Sequence, residues 1–192
     1  MKKVETSIRD LYVLEAKAFG DDRGWFSETF NKKTLKELGI DIDFIQDNHS
    51  LSAQKGTLRG LHLQTNPKAQ TKLVRCTRGS ILDVAVDLRK GSPTYLKHFS
   101  IILSDENKKQ LFIPKGFAHG FITLTDNVEV QYKVDEYYSK EHDRSIKFDD
   151  PLFNIDWLST EFVLSDKDKN AVLYENSDIV FEYMEVVKWK YL

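Results

Sequence analysis

Short runs in which apolar and polar residues alternate dominate the middle of the chain. In 80-SILDVAVDL-88, Leu82, Val84, Val86 and Leu88 alternate with Asp83, Ala85 and Asp87, the two-residue period of a strand. Comparable runs occur at 44-FIQDN, 57-TLRGLHLQ, 72-KLVRCT, 96-LKHFSIIL, 110-QLFIP, 119-HGFITLT and 128-VEVQYKV. Gly79, 91-GSP, 104-SDEN, Gly116 and 126-DN punctuate them, as turns would. So many short strands predict a mainly β fold, a sandwich or jelly-roll barrel. Helical spacing is brief. In 31-NKKTLKELGI-40, Asn31 is a good N-cap, Leu35 and Leu38 share a face, and Gly39 is a natural stop. A second short helix is expected after 164-LSDKD, capped by Ser165 with acidic residues in its first turn. The stretch 179-IVFEYMEVVKWKYL has mixed periodicity and predicts no definite element. With no repeat and no Gly-, Pro- or Ser-rich linker, residues 1–192 read as a single domain.

The strand 57-TLRGLHLQ-64 poses a geometric problem. Alternation sends Leu58, Gly60, His62 and Gln64 to one face and Arg59, Leu61 and Leu63 to the other. A guanidinium and an imidazole in one apolar strand point to a polar cavity, yet three residues apart in an ideal strand means opposite faces. Either the strand bulges at Gly60, so that both reach one ligand, or Arg59 turns outward to meet a ligand held at a subunit interface.

Composition narrows the partners. The chain carries 28 basic and 30 acidic side chains, a formal charge of -2, so no basic excess predicts a nucleic-acid partner. No window approaches the ~18 apolar residues of a membrane span. The start, MKKVETSIRD, lacks the apolar core of a secretory signal, which makes a reducing cytoplasm the expected compartment. The single cysteine, Cys76, allows no internal disulfide and reads as a small buried hydrophobe.

Of the five histidines, His98 and His142 sit among charges and read as ordinary structural or surface residues. His62 and His119 each lie beside glycine in an apolar run, where a buried imidazole needs partners. The stretch 114-PKGFAHG-120 has the pattern Pro-x-Gly-x-x-His. It resembles the second motif of the cupin superfamily, small β-barrels with a central cavity. Metal-binding cupins bring His-x-His in their first motif; here that strand offers only His62, followed by Leu63 and Gln64. One histidine per strand is a poor cage for a transition metal. A metal-free cavity works with acids, bases and fixed charge, and His62, His119, Tyr132, Arg23, Arg59, Lys72 and Arg75 supply these. That set suits proton abstraction beside a carbonyl on an anionic substrate.

The segments 19-FGDDRGWFSETFN-31, 44-FIQDNHS-50, 57-TLRGLHLQ-64, 69-AQTKLVR-75, 110-QLFIPKGFAHGF-121, 131-QYKVDEYYS-139, 148-FDDP-151 and 164-LSDKD-168 occur in this order. Together they are similar to the dTDP-4-dehydrorhamnose 3,5-epimerase family, from about Ile8 to Asp168. The resemblance implies a homodimeric cupin jelly roll that uses neither cofactor nor metal and epimerises a dTDP-linked 4-keto-6-deoxy hexose at C3 and C5. It implies His62 as the base and Asp168, rather than Asp166, as the carboxylate that fixes its tautomer. Tyr132 is implied as general acid and Lys72 as the cation near the C4 oxygen. His119, Tyr138 (stacking on thymine), Asp143, Lys167, Arg23, Glu28, Gln46, Asn48 and Arg59 are implied substrate contacts. Asp143 stands where many members have glutamate, so that contact is expected to be shorter or absent. For Trp25 and Phe26 both a core position and a place near a dimer-related site are open; of Tyr137 and Tyr138, one is expected in the core. Two other readings stand beside the main one: an epimerase acting at one carbon of a related nucleotide sugar, and a non-catalytic sugar-binding cupin.

Overall fold

The computed structural model describes residues 1–184 of the 192. The first part of the chain forms β1 (Lys2–Glu5), β2 (Tyr12–Glu15), the hairpin strands β3 (Ala18–Asp21) and β4 (Gly24–Ser27), and helix α1 (Lys32–Glu37). The middle forms β5 (Gln46–Ser52), β6 (Leu58–Gln64), β7 (Lys72–Arg78), β8 (Ser80–Asp87), β9 (Arg89–Lys90), β10 (His98–Ser104) and β11 (Lys109–Ile113). Then come β12 (Phe117–Thr123), β13 (Val128–Val134), β14 (Asp143–Ser145), α2 (Asp166–Lys169) and β15 (Phe181–Glu182).

The strands assemble into an antiparallel sandwich of jelly-roll type. One sheet has six strands in the order β1-β2-β11-β7-β13-β5; the other has five, β10-β8-β12-β6-β14. Between them lies a core of Val13, Val74, Cys76, Leu111 and Val130 from the first sheet against Ile81, Ala85, Leu103 and Phe121 from the second. Each sheet is also covered outside. Leu35 of α1 and Ile40 pack on Leu14, Leu73 and Phe112 of the six-stranded sheet. Phe153, Trp157, Tyr174 and Phe181 pack on Leu61, Leu63, Val84 and Ile122 of the five-stranded one. Strand β8 is therefore buried on both faces: Asp83 and Asp87 are as inaccessible as Val84 and Val86. The alternation that reads as half-exposed in sequence divides two interiors instead.

The two expected helices are present. The Asn31 side chain accepts the Thr34 N–H at the start of α1, and Gly39 adopts φ +82° beyond its end, the left-handed stop that glycine allows. The strand expected from residue 44 begins at Gln46 and runs on to Ser52, and the one expected from residue 96 begins at His98. Of the stretch 179–192, Phe181–Glu182 pairs in parallel with β9; residues 185–192 lie outside the described residues.

Gly60 is where β6 departs from regularity. His119 of β12 pairs with His62, and Phe121 pairs with Arg59, with the register shifting between them. Two residues of β6, Gly60 and Leu61, thus stand opposite the single Gly120, which is a bulge. Since 119 and 121 share a face, the bulge puts Arg59 and His62 on one face too. Only glycine fits here: φ is +133°, and a Cβ would lie 2.5 Å from Gly120 Cα. Gly60→Ala is expected to destabilise the fold by ~3 kcal/mol, read from the midpoint of denaturant unfolding; an unchanged midpoint would contradict this account of the bulge.

Candidate active site

A cavity of about 510 Å³ opens between the sheets, lined among others by Arg59, His62, Lys72, His119, Tyr132, Tyr138, Asp143, Lys167 and Asp168. His62 and His119 come from the five-stranded sheet, Lys72 and Tyr132 from the six-stranded one. Two imidazoles therefore face a phenol and an ammonium across the cavity.

Asp168 reaches His62 from 106 residues away. The segment before α2 docks beside the start of β6, where Leu58 N–H donates to Val163 O and Val163 N–H to Gly56 O. Ser165 then caps α2, its hydroxyl accepting from Asp168 N–H and donating to Asp168 Oδ2 at 2.7 Å. The other carboxylate oxygen meets His62 Nε2 at 2.5 Å. Burial alone would raise the Asp168 carboxyl, but hydrogen bonds from His62, Ser165 and the Gly60 N–H together hold it below the usual aspartate range. An ionised Asp168 takes the Nε2–H, so Nδ1 carries the lone pair. His62 itself remains partly open to the cavity, with 29% of its side chain exposed.

Three further groups are tuned by burial. Lys72 is almost inaccessible, and desolvation pulls its ammonium down to about 8, against the pull of Asp143 and Asp83 and with help from Lys167. Its Nζ lies 3.5 Å from the His62 carbonyl. Tyr132 is raised by burial, which outweighs the nearby Arg59, so its phenol keeps its proton at neutral pH. His119 is lowered, because burial outweighs the Asp83 carboxylate whose Oδ1 meets its Nε2 at 2.8 Å. Asp83 Oδ2 is buried and has no partner among the described residues. Among the described residues, no group of three or more His, Cys, Asp or Glu is placed to hold a metal ion.

This geometry meets the sequence comparisons at one point. The family model for dTDP-4-dehydrorhamnose 3,5-epimerase matches residues 5–176. The chain belongs to the dTDP-4-dehydrorhamnose 3,5-epimerase family. A relative from Sinorhizobium fredii with that name is 50% identical over 181 residues, 94% of this chain and 93% of its own. The crystal structure of the Bacillus anthracis epimerase with TDP and PPi bound is 53% identical with a TM-score of 0.88, covering 90% of this chain and 98% of that one. The Legionella pneumophila enzyme, in complex with dTDP-4-keto-L-rhamnose, is 44% identical with a TM-score of 0.91, covering 95% and 98%.

Around the epimerase-family core, the remaining expected contacts fall into two groups. Arg59 enters the cavity, its Nε donating to Ser52 Oγ at 3.1 Å. Tyr138 and Lys167 both reach Asp143 Oδ2 at the cavity rim, at 3.3 and 2.5 Å. Glu28 and Asn48 instead line a separate cavity of about 300 Å³, which Tyr132 also borders. Gln46, bonded to Asn48, lines neither cavity. Arg23 sits at the exposed tip of the β3–β4 hairpin, paired with Asp21. One chain therefore does not bring Arg23, Glu28, Gln46 and Asn48 into the cavity with His62. Trp25 and Phe26 are 60% and 71% exposed, and Tyr137 is as exposed as Tyr138. None of the three is a core residue: the hairpin projects from the sandwich, and the 137–139 segment runs over the cavity mouth.

Sequence reasoning missed Asp83 as the partner of His119, and Gln64 as a member of the cavity wall. An aspartate between Leu82 and Val84 was a usable signal, since a carboxylate buried in an apolar run needs a partner. His98 and His142 have structural roles, His98 Nδ1 meeting Phe153 O and His142 Nδ1 meeting Ser139 Oγ. Cys76 is a core residue as expected.

Lys72 gives the site a pH dependence with a definite sign. A lysine at about 8 loses its charge as pH rises through that value. If the ammonium is the working form, kcat/KM falls above about pH 8. Lys72→Arg keeps its proton throughout, so the alkaline limb is expected to move upward in that variant; an unmoved limb would assign it to another group.

Proposed function

We propose that this protein epimerises dTDP-4-dehydro-6-deoxy-D-glucose at C3 and C5, giving dTDP-4-dehydro-L-rhamnose for dTDP-L-rhamnose synthesis. The observation that carries the reading is the Asp168–His62 pair on one cavity wall with Tyr132 and Lys72 on the other. The C4 ketone of the substrate acidifies the protons on C3 and C5. His62 Nδ1 removes each proton in turn, and the charge moves onto O4. Lys72 stabilises that enolate oxygen, where a fixed cation acts most strongly because water is excluded. Tyr132 returns a proton from the opposite face, which inverts the carbon. The substrate is its own electron sink, so the reaction requires no organic cofactor.

Arg59 and Lys167 carry the charge that an anionic diphosphate needs, and Tyr138 offers a ring to the base. We also propose that the enzyme works as a single-domain protomer within a homodimer, in the cytoplasm. Support for the dimer is the β3–β4 hairpin, which carries Phe19, Trp25 and Phe26 exposed beside Arg23. A monomer seldom leaves such a patch uncovered. In a dimer these hairpins can supply the contacts that one chain leaves outside its own cavity.

The test is conversion of dTDP-4-dehydro-6-deoxyglucose in the presence of EDTA, with product configuration read from proton–proton couplings. The L-rhamno configuration is expected. A product inverted at one carbon would make this a single-centre epimerase, and an inert substrate would remove the assignment.

A further inference from the structure

Gln64 lies at the end of the strand that carries His62, and it is 4% exposed. Every hydrogen-bonding group of its amide is engaged. Nε2 donates to Lys68 O at 2.6 Å and to Tyr137 O at 3.2 Å, and Oε1 accepts the Ser139 N–H at 2.7 Å. These partners belong to two loops, 65–71 and 135–142, that meet at the cavity mouth. The amide grips the backbone on both sides of Tyr138, from Tyr137 and from Ser139. Tyr138 itself is 61% exposed, and its one side-chain hydrogen bond among the described residues is the 3.3 Å contact to Asp143. An exposed ring has little packing to hold it, so its position follows from its backbone.

Other bonds join the same two loops. Thr65 N–H donates to His142 O, Gln70 Nε2 to Glu136 O, and Thr71 N–H to Asp135 Oδ1. Of these, Gln70 also lines the cavity and Thr71 is buried, and none of the three bonds reaches Tyr137 or Ser139. Among the described side chains, Gln64 alone bonds both neighbours of Tyr138, and its loss leaves two carbonyls and an N–H unpaired.

We infer that Gln64 is a positioning residue for the nucleotide end of the substrate, clamping the 137–139 backbone so that Tyr138 presents its ring to the base. The inference rests on the epimerase reading. It separates two jobs on one strand: His62 serves the sugar, and Gln64, two residues on, fixes the wall that receives the nucleotide. Removing the clamp lets the ring wander, so binding weakens while the chemistry of the sugar, once bound, is largely retained.

The probe is dTDP alone, titrated by calorimetry, together with kcat and KM for the keto sugar nucleotide. In Gln64→Leu the dTDP Kd and the KM are each expected to rise about tenfold, within the range a lost stacking contact spans, while kcat falls by less than about threefold. Tyr138→Ala is expected to show a similar loss, and the double variant no more than either alone, because both remove one interaction. Gln64→Glu keeps the acceptor for Ser139 but sets a carboxylate against two carbonyls, so it should bind no better than Gln64→Leu. It also serves as the second variant if Gln64→Leu does not fold. An unchanged dTDP Kd, a fall in kcat with KM unmoved, or losses at Gln64 and Tyr138 that add in full would each overturn the inference. Failure of the wild-type protein to bind dTDP would overturn the epimerase reading as well; normal wild-type binding with normal variant binding removes only the clamp.

Discussion

His62→Ala is expected to lower exchange of the C3 and C5 protons of the substrate with solvent by about 10³-fold or more, the upper part of the range for a general base. Two features place the effect there. The cavity contains another imidazole, His119, but Asp83 holds its Nε2 and burial lowers its proton affinity, so it is poorly suited to take over. Asp168 stays within the wall, buried and without the His62 hydrogen bond that does most to hold its carboxyl low. Added imidazole is expected to restore part of the rate. The fold should tolerate the change, because His62 is partly open to the cavity rather than packed in a core. Normal thermal unfolding with lost exchange supports the assignment; full exchange in His62→Ala would refute His62 as the base.

Tyr132→Phe should separate two events that wild-type turnover joins. The variant keeps the ring that packs beside the inter-sheet core and removes only the hydroxyl. His62, Asp168 and Lys72 remain, so the enolate still forms and the base can return its proton to the same face. Solvent exchange is then expected to persist, while formation of inverted product falls by about 10²-fold or more. The prediction follows from placement: His62 sits in the five-stranded sheet and Tyr132 in the six-stranded one. Parallel loss of exchange and inversion would show that Tyr132 is needed to form the enolate. Unimpaired inversion would show that another donor reaches the opposite face.

Much of this site can be read along the chain, and the parts that cannot share a physical cause. Local pattern gives the strands, because each carries its own two-residue period, and gives α1 and α2, because Asn31 and Ser165 cap them where the residue types require. The problem posed by Arg59 and His62 is also legible, since strict alternation forbids both facing one cavity and Gly60 stands between them; the bulge there answers it. What alternation cannot say is which face of a strand is dry. In β8 both faces are buried, and Asp83 turns from an outward polar residue into the partner of His119. Pairings across long sequence separations are illegible for a related reason. Asp168 and Lys167 read locally as a solvated helix start, and only the docking of Val163 beside β6 carries Asp168 to His62. Gln64 looks like an ordinary polar strand end until the two loops close around its amide. For Arg23, Glu28, Gln46 and Asn48, the resemblance names the contacts, and a single chain holds them apart from the cavity.

The most direct test of the proposed chemistry is proton NMR of wild-type turnover in D2O, with EDTA present. Removal of both protons by a base that exchanges with solvent predicts that the C3 and C5 signals of the product vanish together with its formation. Product that keeps either proton at full turnover would contradict an enolate formed at that centre, and product that keeps both would contradict the account.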